Sequence, residues 1–119
     1  MDLVGVYGSL RKGLSNHYFL KSSEYLGQTT TQPEWSLYDL GAFPALVPTG
    51  NTAVVVEVYR VTPQTLAALD QLEDYPEWYQ RQRLTTPYGE CWIYYHPQQT
   101  EEHQKLVPTG DWTTYYQQR

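Results

Sequence analysis

The sequence predicts an α+β fold, a small curled or barrel-like sheet with one main helix packed against it. Three observations carry this prediction. Residues 53–61 (Ala-Val-Val-Val-Glu-Val-Tyr-Arg-Val) alternate as a strand does, with Val54, Val56 and Val58 on one face and Val55, Glu57, Tyr59 and Val61 on the other. Thr62-Pro63 then opens a helix, Thr as N-cap and Pro at the first helical position, where its missing N–H costs nothing. Pro87-Tyr88-Gly89 separates the strand-like runs 79–86 and 90–96 as the turn of a hairpin.

The remaining elements follow in chain order. Residues 2–6 read as a short strand, and Tyr7-Gly8-Ser9-Leu10-Arg11-Lys12-Gly13 follows as a loop whose glycines let the backbone come close to something. Residues 14–21 have room for a short helix. Residues 25–32, polar and Thr-rich, suit an edge strand, and 35–40 alternate as a strand with one wetter side. Residues 41–44 and 48–51 read as turns. The main helix runs from Gln64 to about Tyr75, where Pro76 discourages continuation. Residues 98–104 are polar and read as a surface loop. The tail 105–119 carries Trp112, Tyr115 and Tyr116 and is expected to dock on the body. Leu-Val-Pro-Thr-Gly occurs at 46–50 and again at 106–110, but the flanks differ, so this is a turn sequence used twice rather than a repeat.

With 119 residues the chain is expected to form one domain, 1–119. Twelve Tyr, four Trp and two Phe supply core volume that a single Met does not. A net charge of −5, with no basic run longer than Arg11-Lys12, argues against nucleic-acid binding despite the many rings. The longest purely apolar run is residues 53–56, so no membrane span is expected, and the N-terminus lacks the pattern of a signal peptide. One cysteine, Cys91, excludes an internal disulfide. The expectation is a cytoplasmic protein, a monomer or weak homodimer.

Two features bear on chemistry. Tyr7-Gly8-Ser9-Leu10 ends the first strand in a tight bend, and such bends expose N–H groups that bind carboxylate or phosphate oxygens. Taken alone the motif reads first as a plain turn, with Gly8 allowing the bend and Ser9 capping the next segment, and it lacks the Gly-Lys-Ser/Thr ending of a nucleotide loop. The second feature is Glu73. Leu66, Leu69 and Leu72 form the apolar stripe of the helix, with Asp70 and Asp74 to one side. Glu73 falls inside the stripe, four residues after Leu69. A carboxylate there either borders a core cavity or turns outward to water, Arg81 or Arg83, and periodicity leaves both open. In the cavity, desolvation and the C-terminal end of the helix would raise its pKa toward that of a general acid/base.

Glu57, mid-strand among valines, is the second candidate carboxylate, against a structural role in a cross-sheet pair with an arginine. A serine mechanism at Ser9 would need a His and an acid beside it, and only His17 is near in sequence. Cys91 reads as a packed side chain. His17, His96 and His103 have no metal-ligand spacing and read as solvated surface, so no metal is expected.

Together, the motifs Val6-Tyr7-Gly8-Ser9-Leu10-Arg11-Lys12-Gly13, Leu40-Gly41-Ala42-Phe43-Pro44-Ala45, Glu57-Val58-Tyr59-Arg60-Val61, Leu69-Asp70-Gln71-Leu72-Glu73-Asp74-Tyr75-Pro76, Tyr79-Gln80-Arg81 and Gly110-Asp111-Trp112 resemble, in order, those of the gamma-glutamylcyclotransferase-like family. The resemblance implies a small mixed β-barrel with a cavity at one end and no cofactor. It also implies a small-molecule γ-glutamyl substrate, cleaved by attack of its own α-amine to release 5-oxoproline and a free amine. Glu73 would be the catalytic acid/base, and Tyr7, Gly8, Ser9 and Leu10 would hold the glutamyl α-carboxylate and amine. Tyr79 would line the cavity, and Tyr115 or Tyr116 would cover its mouth. A catalytically silent binding or regulatory domain using the same pocket is the alternative class. One departure is Val56, where the family often carries glycine, which would narrow that part of the sheet.

Overall fold

The computed structural model describes residues 1–97 and 105–119. In chain order it contains β1 (Asp2–Val6), a 3₁₀ turn (His17–Leu20), β2 (Glu24–Thr30), β3 (Trp35–Asp39), β4 (Pro44–Thr52) and β5 (Val55–Val61). Then come α1 (Pro63–Leu72), β6 (Gln80–Thr86), β7 (Gly89–Tyr95) and α2 (Trp112–Gln118). Five strands form one sheet in the order β2-β5-β1-β7-β6, and β3 pairs with β4 in a separate ribbon. All pairings are antiparallel except β1 with β7. The ribbon is stitched to the rest by the His96 N–H, which donates to the Leu46 carbonyl at 2.7 Å. The curled sheet keeps open edges at β2 and β6, so the expected mixed α+β architecture holds and "barrel" describes it only loosely.

β5 explains why both faces of the sheet are buried. Its Val56 and Val58, with Val54 just before it, join Trp35, Leu37, Leu46, Ile93 and Trp112 in one apolar cluster under the ribbon and α2. Its Tyr59 and Val61 join Val4, Val6, Leu20 and Leu69 in the other, under α1 and the 3₁₀ turn. A strand covered on both sides needs apolar residues where it is covered; the exceptions here are Arg60, exposed near the strand's end, and Glu57, which is buried. Val56 packs against the backbone of Gly5 in β1. Its Cγ1 lies where a Cβ at Gly5 would come within 2.7 Å, so the valine uses space that Gly5 leaves open.

Several expectations are corrected. The helix expected over 14–21 is only the 3₁₀ turn His17–Leu20, because Gly13 and Ser22-Ser23 leave too little chain for a costly α-nucleus. The turn expected at 48–51 lies inside β4, where the register jumps from Ser36↔Val47 to Trp35↔Thr52. The segment is a bulge, and strand pairing resumes beyond it. The wetter side expected for β3 is present only in part: Ser36 and Leu40 are half-buried opposite buried Trp35, Leu37 and Asp39, but Tyr38 between them is buried where Leu106 bridges to it. The second Leu-Val-Pro-Thr-Gly also runs beside β3: the Val107 N–H donates to the Leu37 carbonyl at 2.8 Å. The main helix begins as expected, with the Thr62 hydroxyl accepting from the Thr65 N–H at 3.1 Å. It stops at Leu72 rather than Tyr75, because Asp74 takes a left-handed φ of 51°, a conformation Asp tolerates better than most residues. α2 was not expected as a helix, although the tail docks through fully buried Trp112. The loop expected at 98–104 lies outside the described residues.

Candidate active site

β1 is buried and central, so the chain leaving it emerges at the end of the sheet with little freedom. The Arg11 N–H donates to the Gly8 carbonyl at 3.0 Å and the Asn16 N–H to the Ser9 carbonyl at 2.9 Å, closing the loop on itself. That leaves the N–H groups of Gly8, Ser9 and Leu10 without an acceptor among the described residues. Gly8 is required by packing: a Cβ there would stand 2.7 Å from both Cδ and Cγ of Pro44. The Ser9 hydroxyl accepts from Asn16 Nδ2 at 2.9 Å. His17 turns the other way, its Nδ1 lying 2.9 Å from the Leu10 carbonyl, so no Ser–His pair forms.

These loop residues form one wall of a cavity of about 260 Å³. Glu73 lines the same cavity, as do Tyr7, Tyr79 and Tyr94. Of the residues expected at the site, Tyr7, Gly8, Ser9, Leu10, Glu73 and Tyr79 line this cavity. Tyr115 and Tyr116, expected over the mouth, are absent from it. Tyr115 instead donates to Asp39 Oδ2 at 2.7 Å, because α2 is anchored on the far side by Trp112. The mouth is occupied by Phe43, Leu72 and Trp78, which were not expected. Tyr94 and Asn16 were also missed; neither β-strand parity nor loop position marks a side chain as cavity-facing without the register of the fold.

Glu73 caps the C-terminus of α1, its N–H donating to the Leu69 carbonyl at 2.9 Å. Its carboxylate has no hydrogen-bond or ion-pair partner among the described residues. The arginines that might have drawn it outward are engaged elsewhere. Arg81 binds Asp70 through Nε at 2.9 Å and Nη2 at 3.2 Å, and the Arg83 guanidinium stacks 4.0 Å over the Trp92 ring. Part of Glu73 faces the open cavity while protein surrounds the rest, and burial raises its pKa from 4.5 to about 7. The tyrosines nearby do not relieve it. Tyr79 donates to the Pro44 carbonyl at 2.7 Å, Tyr7 to the Tyr94 carbonyl at 2.8 Å, and Tyr94 to Asp70 Oδ1 at 2.7 Å. Burial first, and the Glu73 charge after it, hold the Tyr79 hydroxyl well above its ordinary value.

Glu57 is the structural carboxylate that its second reading describes. It accepts from Arg11 Nε at 2.9 Å, from the Lys12 N–H at 3.0 Å and from the Tyr59 hydroxyl at 2.8 Å, and it lies outside the cavity. Cys91 is fully buried, and burial pushes its thiol up to about 11. His96 was expected in solvent and is buried instead, edge-on to Tyr79 at 4.5 Å and Trp78 at 4.8 Å. His103 lies outside the described residues. Among the described residues no three His, Cys, Asp or Glu side chains cluster as a metal site would need, and no helix is long and apolar enough to cross a membrane.

A pocket that pairs free backbone N–H groups with a desolvated, unpartnered carboxylate has the groups to hold a small polar molecule and to exchange protons with it. Comparison with known proteins supplies the family. Residues 4–114 match the family model described as gamma-glutamyl cyclotransferase, AIG2-like, and the chain belongs to that family. It is 52% identical over 110 residues to a candidate gamma-glutamylcyclotransferase of Vibrio cholerae, covering 92% of this chain and 94% of that one. The fold matches the crystal structure of protein PH0828 from Pyrococcus horikoshii with a TM-score of 0.85 at 25% identity, covering 99% and 95% of the two chains. An AIG2-like protein of mouse matches with a TM-score of 0.81 at 27% identity, covering 94% of this chain and 88% of its own.

Proposed function

We propose that the chain is a γ-glutamyl cyclotransferase-type enzyme that releases 5-oxoproline and a free amine from a γ-glutamyl amide, with Glu73 as the general acid/base. The observation that carries this reading is the unpartnered Glu73 carboxylate, raised to about 7 and facing the same cavity as the free N–H groups of Gly8, Ser9 and Leu10.

The chemistry follows from that pairing. The loop N–H groups hold the glutamyl α-carboxylate, with Tyr7 and Tyr79 packed as the wall around the glutamyl chain. Glu73 takes a proton from the α-ammonium. The substrate's α-ammonium, beside its own carboxylate, ionises above the value of about 8 for a chain terminus, so a carboxylate raised to about 7 accepts its proton at less cost than one at its ordinary 4.5. The freed α-nitrogen attacks the side-chain carbonyl carbon and closes a five-membered ring, a step favoured when the chain is held folded. The bond from that carbon to the departing nitrogen then breaks as Glu73 returns the proton to it. Attack leaves a second surplus proton on the ring nitrogen, and Glu73 takes this one too and passes it to the departing amine. Two protons thus go from the α-nitrogen to the leaving nitrogen, and Glu73 ends as it began. The nucleophile belongs to the substrate, so Ser9 and Cys91 have no bond-forming role.

The test is 5-oxoproline release by the purified protein from a panel of γ-glutamyl amides, repeated with Glu73→Gln. Release that the substitution abolishes supports the enzyme. A wild type that binds γ-glutamyl compounds yet releases nothing from any of them would make the chain a silent binding domain.

A further inference from the structure

Asp70 and Glu73 stand three residues apart at the end of α1, near enough for one cation to serve either of them. Among the described residues only Asp70 has one. Arg81 reaches it from β6 with two parallel bonds, Nε to Oδ1 at 2.9 Å and Nη2 to Oδ2 at 3.2 Å, the geometry that grips a carboxylate most firmly. Two rings confine the same guanidinium, Trp92 at 4.2 Å and Tyr75 at 4.6 Å.

Tyr94 shows how near Glu73 this pair lies. Its side chain lines the cavity with Glu73, while its hydroxyl donates to Asp70 Oδ1 at 2.7 Å. Burial first, then Asp70 and after it Glu73, hold that hydroxyl well above its ordinary value, and Arg81 opposes them. Both carboxylates and the guanidinium therefore surround one cavity-lining hydroxyl. The other charged groups around α1 are placed elsewhere. Asp74, Glu77 and Lys21 are exposed, and Asp2 lies beside Val61, near the start of the helix. From β5, Glu57 pairs with Arg11 and Arg60 with Glu24. His17 of the 3₁₀ turn lies against the Leu10 carbonyl and the Tyr59 ring. Tyr7 and Tyr79 face Glu73 with their hydroxyls given to carbonyls, and His96 packs edge-on to Tyr79. Arg83 stacks on Trp92. Arg81 is the cation with a path to Glu73, and Asp70 stands in that path.

We infer that Asp70 is a positioning residue for the acid/base: it keeps Arg81 off Glu73, so that the carboxylate facing the cavity has no cation. The catalytic meaning of this rests on the cyclotransferase reading. A guanidinium on Glu73 would favour its charged form and make it a weaker base toward the α-ammonium. Held on Asp70, the same guanidinium is neutralised by a partner of opposite charge, and burial is left to set the proton affinity of Glu73.

Titration of Glu73 itself tests this, read by the NMR shift of its carboxyl carbon against pH, with Glu73→Gln assigning the signal. In Asp70→Ala the released Arg81 turns to Glu73, and the midpoint should fall by about 1–3 pH units, with the acid limb of kcat/KM falling alongside. Asp70→Asn keeps the shape without the charge and should give a fall of the same sign, even where the alanine variant does not fold. Asp70→Glu restores the charge and should bring the midpoint back toward the wild type. In Asp70→Ala/Arg81→Met it should recover to about 7. Arg81→Met alone should raise it, because Asp70 then stands near Glu73 uncompensated. A midpoint unmoved by Asp70→Ala and Asp70→Asn, or a fall that persists in the double variant, would overturn the role of Asp70. The titration needs no turnover. A chain that releases no 5-oxoproline therefore refutes the cyclotransferase reading and leaves the Glu73 midpoints to decide whether Asp70 holds Arg81 away.

Discussion

Glu57 and Glu73 are both held by protein rather than by water, and they are opposites in every other respect. Glu57 lies mid-strand, 4% exposed, with its two oxygens taken by Arg11, the Lys12 N–H and Tyr59. Through Arg11 it also reaches Asp111, the N-cap of α2, so it ties the Gly8–Gly13 loop to both the sheet and the C-terminal helix. Glu73 lies at the end of a helix, its carboxylate without any such partner and facing a cavity. The contrast lies in the partners each carboxylate finds rather than in burial alone. A buried charge whose lone pairs are all satisfied holds the fold in place, whereas one left unsatisfied binds a proton near neutrality.

The largest expected effect tests the reactive side. Glu73→Gln should lower 5-oxoproline release by about 10²- to 10⁴-fold, with circular dichroism unchanged; a variant that keeps most of its activity removes Glu73 from the chemistry. The wild-type kcat/KM should rise with pH through about 7, since the base must be unprotonated. A flat profile from pH 5 to 9 would contradict this.

The structural side is tested next. Arg11→Met leaves buried Glu57 with only the Lys12 backbone N–H and the Tyr59 hydroxyl as partners, and should cost about 3–5 kcal/mol in urea denaturation. A loss under 1 kcal/mol would place Glu57 nearer to water than its contacts imply. Gly8→Ala touches both halves, because its Cβ must displace the Pro44 ring whose carbonyl receives the Tyr79 hydroxyl. A cost of about 1–3 kcal/mol from overpacking is expected, together with weaker substrate binding.

The smallest effect sharpens the comparison through pH. Glu73 ionises near 7 in the folded chain against an ordinary 4.5, so the folded state holds a proton that the unfolded chain has released between those values. The stability this contributes is fully present below pH 4.5 and is lost as pH rises through 7. Glu73→Gln, which does not titrate, should match the wild type at pH 4 and be more stable by about 1–2 kcal/mol at pH 8. Identical pH dependence of the two proteins would show that burial does not perturb this carboxylate.

The local signals in the chain were read most reliably where one residue type forces one conformation. Thr62-Pro63 started α1 where expected, and Pro87-Tyr88 became the two-residue connection between Thr86 and Gly89. β5 showed its faces through alternation alone. Signals failed where distant segments decide the outcome. Pro48-Thr49-Gly50-Asn51 has the composition of a turn, yet β3 beside it draws the chain back into β4. His96 has a polar side chain but is packed between Trp78 and Tyr79.

Helical periodicity placed Glu73 on the apolar side of α1, and the motifs around it identified the family, since both are properties of neighbouring residues in the chain. Whether that side chain faces a cavity or a cation depended on where Arg81 and Arg83 went, and they went to Asp70 and Trp92. The same holds for the mouth. Phe43, Leu72 and Trp78 are unremarkable in sequence and meet only because the turn before β4, the end of α1 and the approach to β6 converge there. Local conformational preference is written within a few residues, but the solvation of a charge and the walls of a cavity are set by groups far apart in the chain, which only the packed fold brings together.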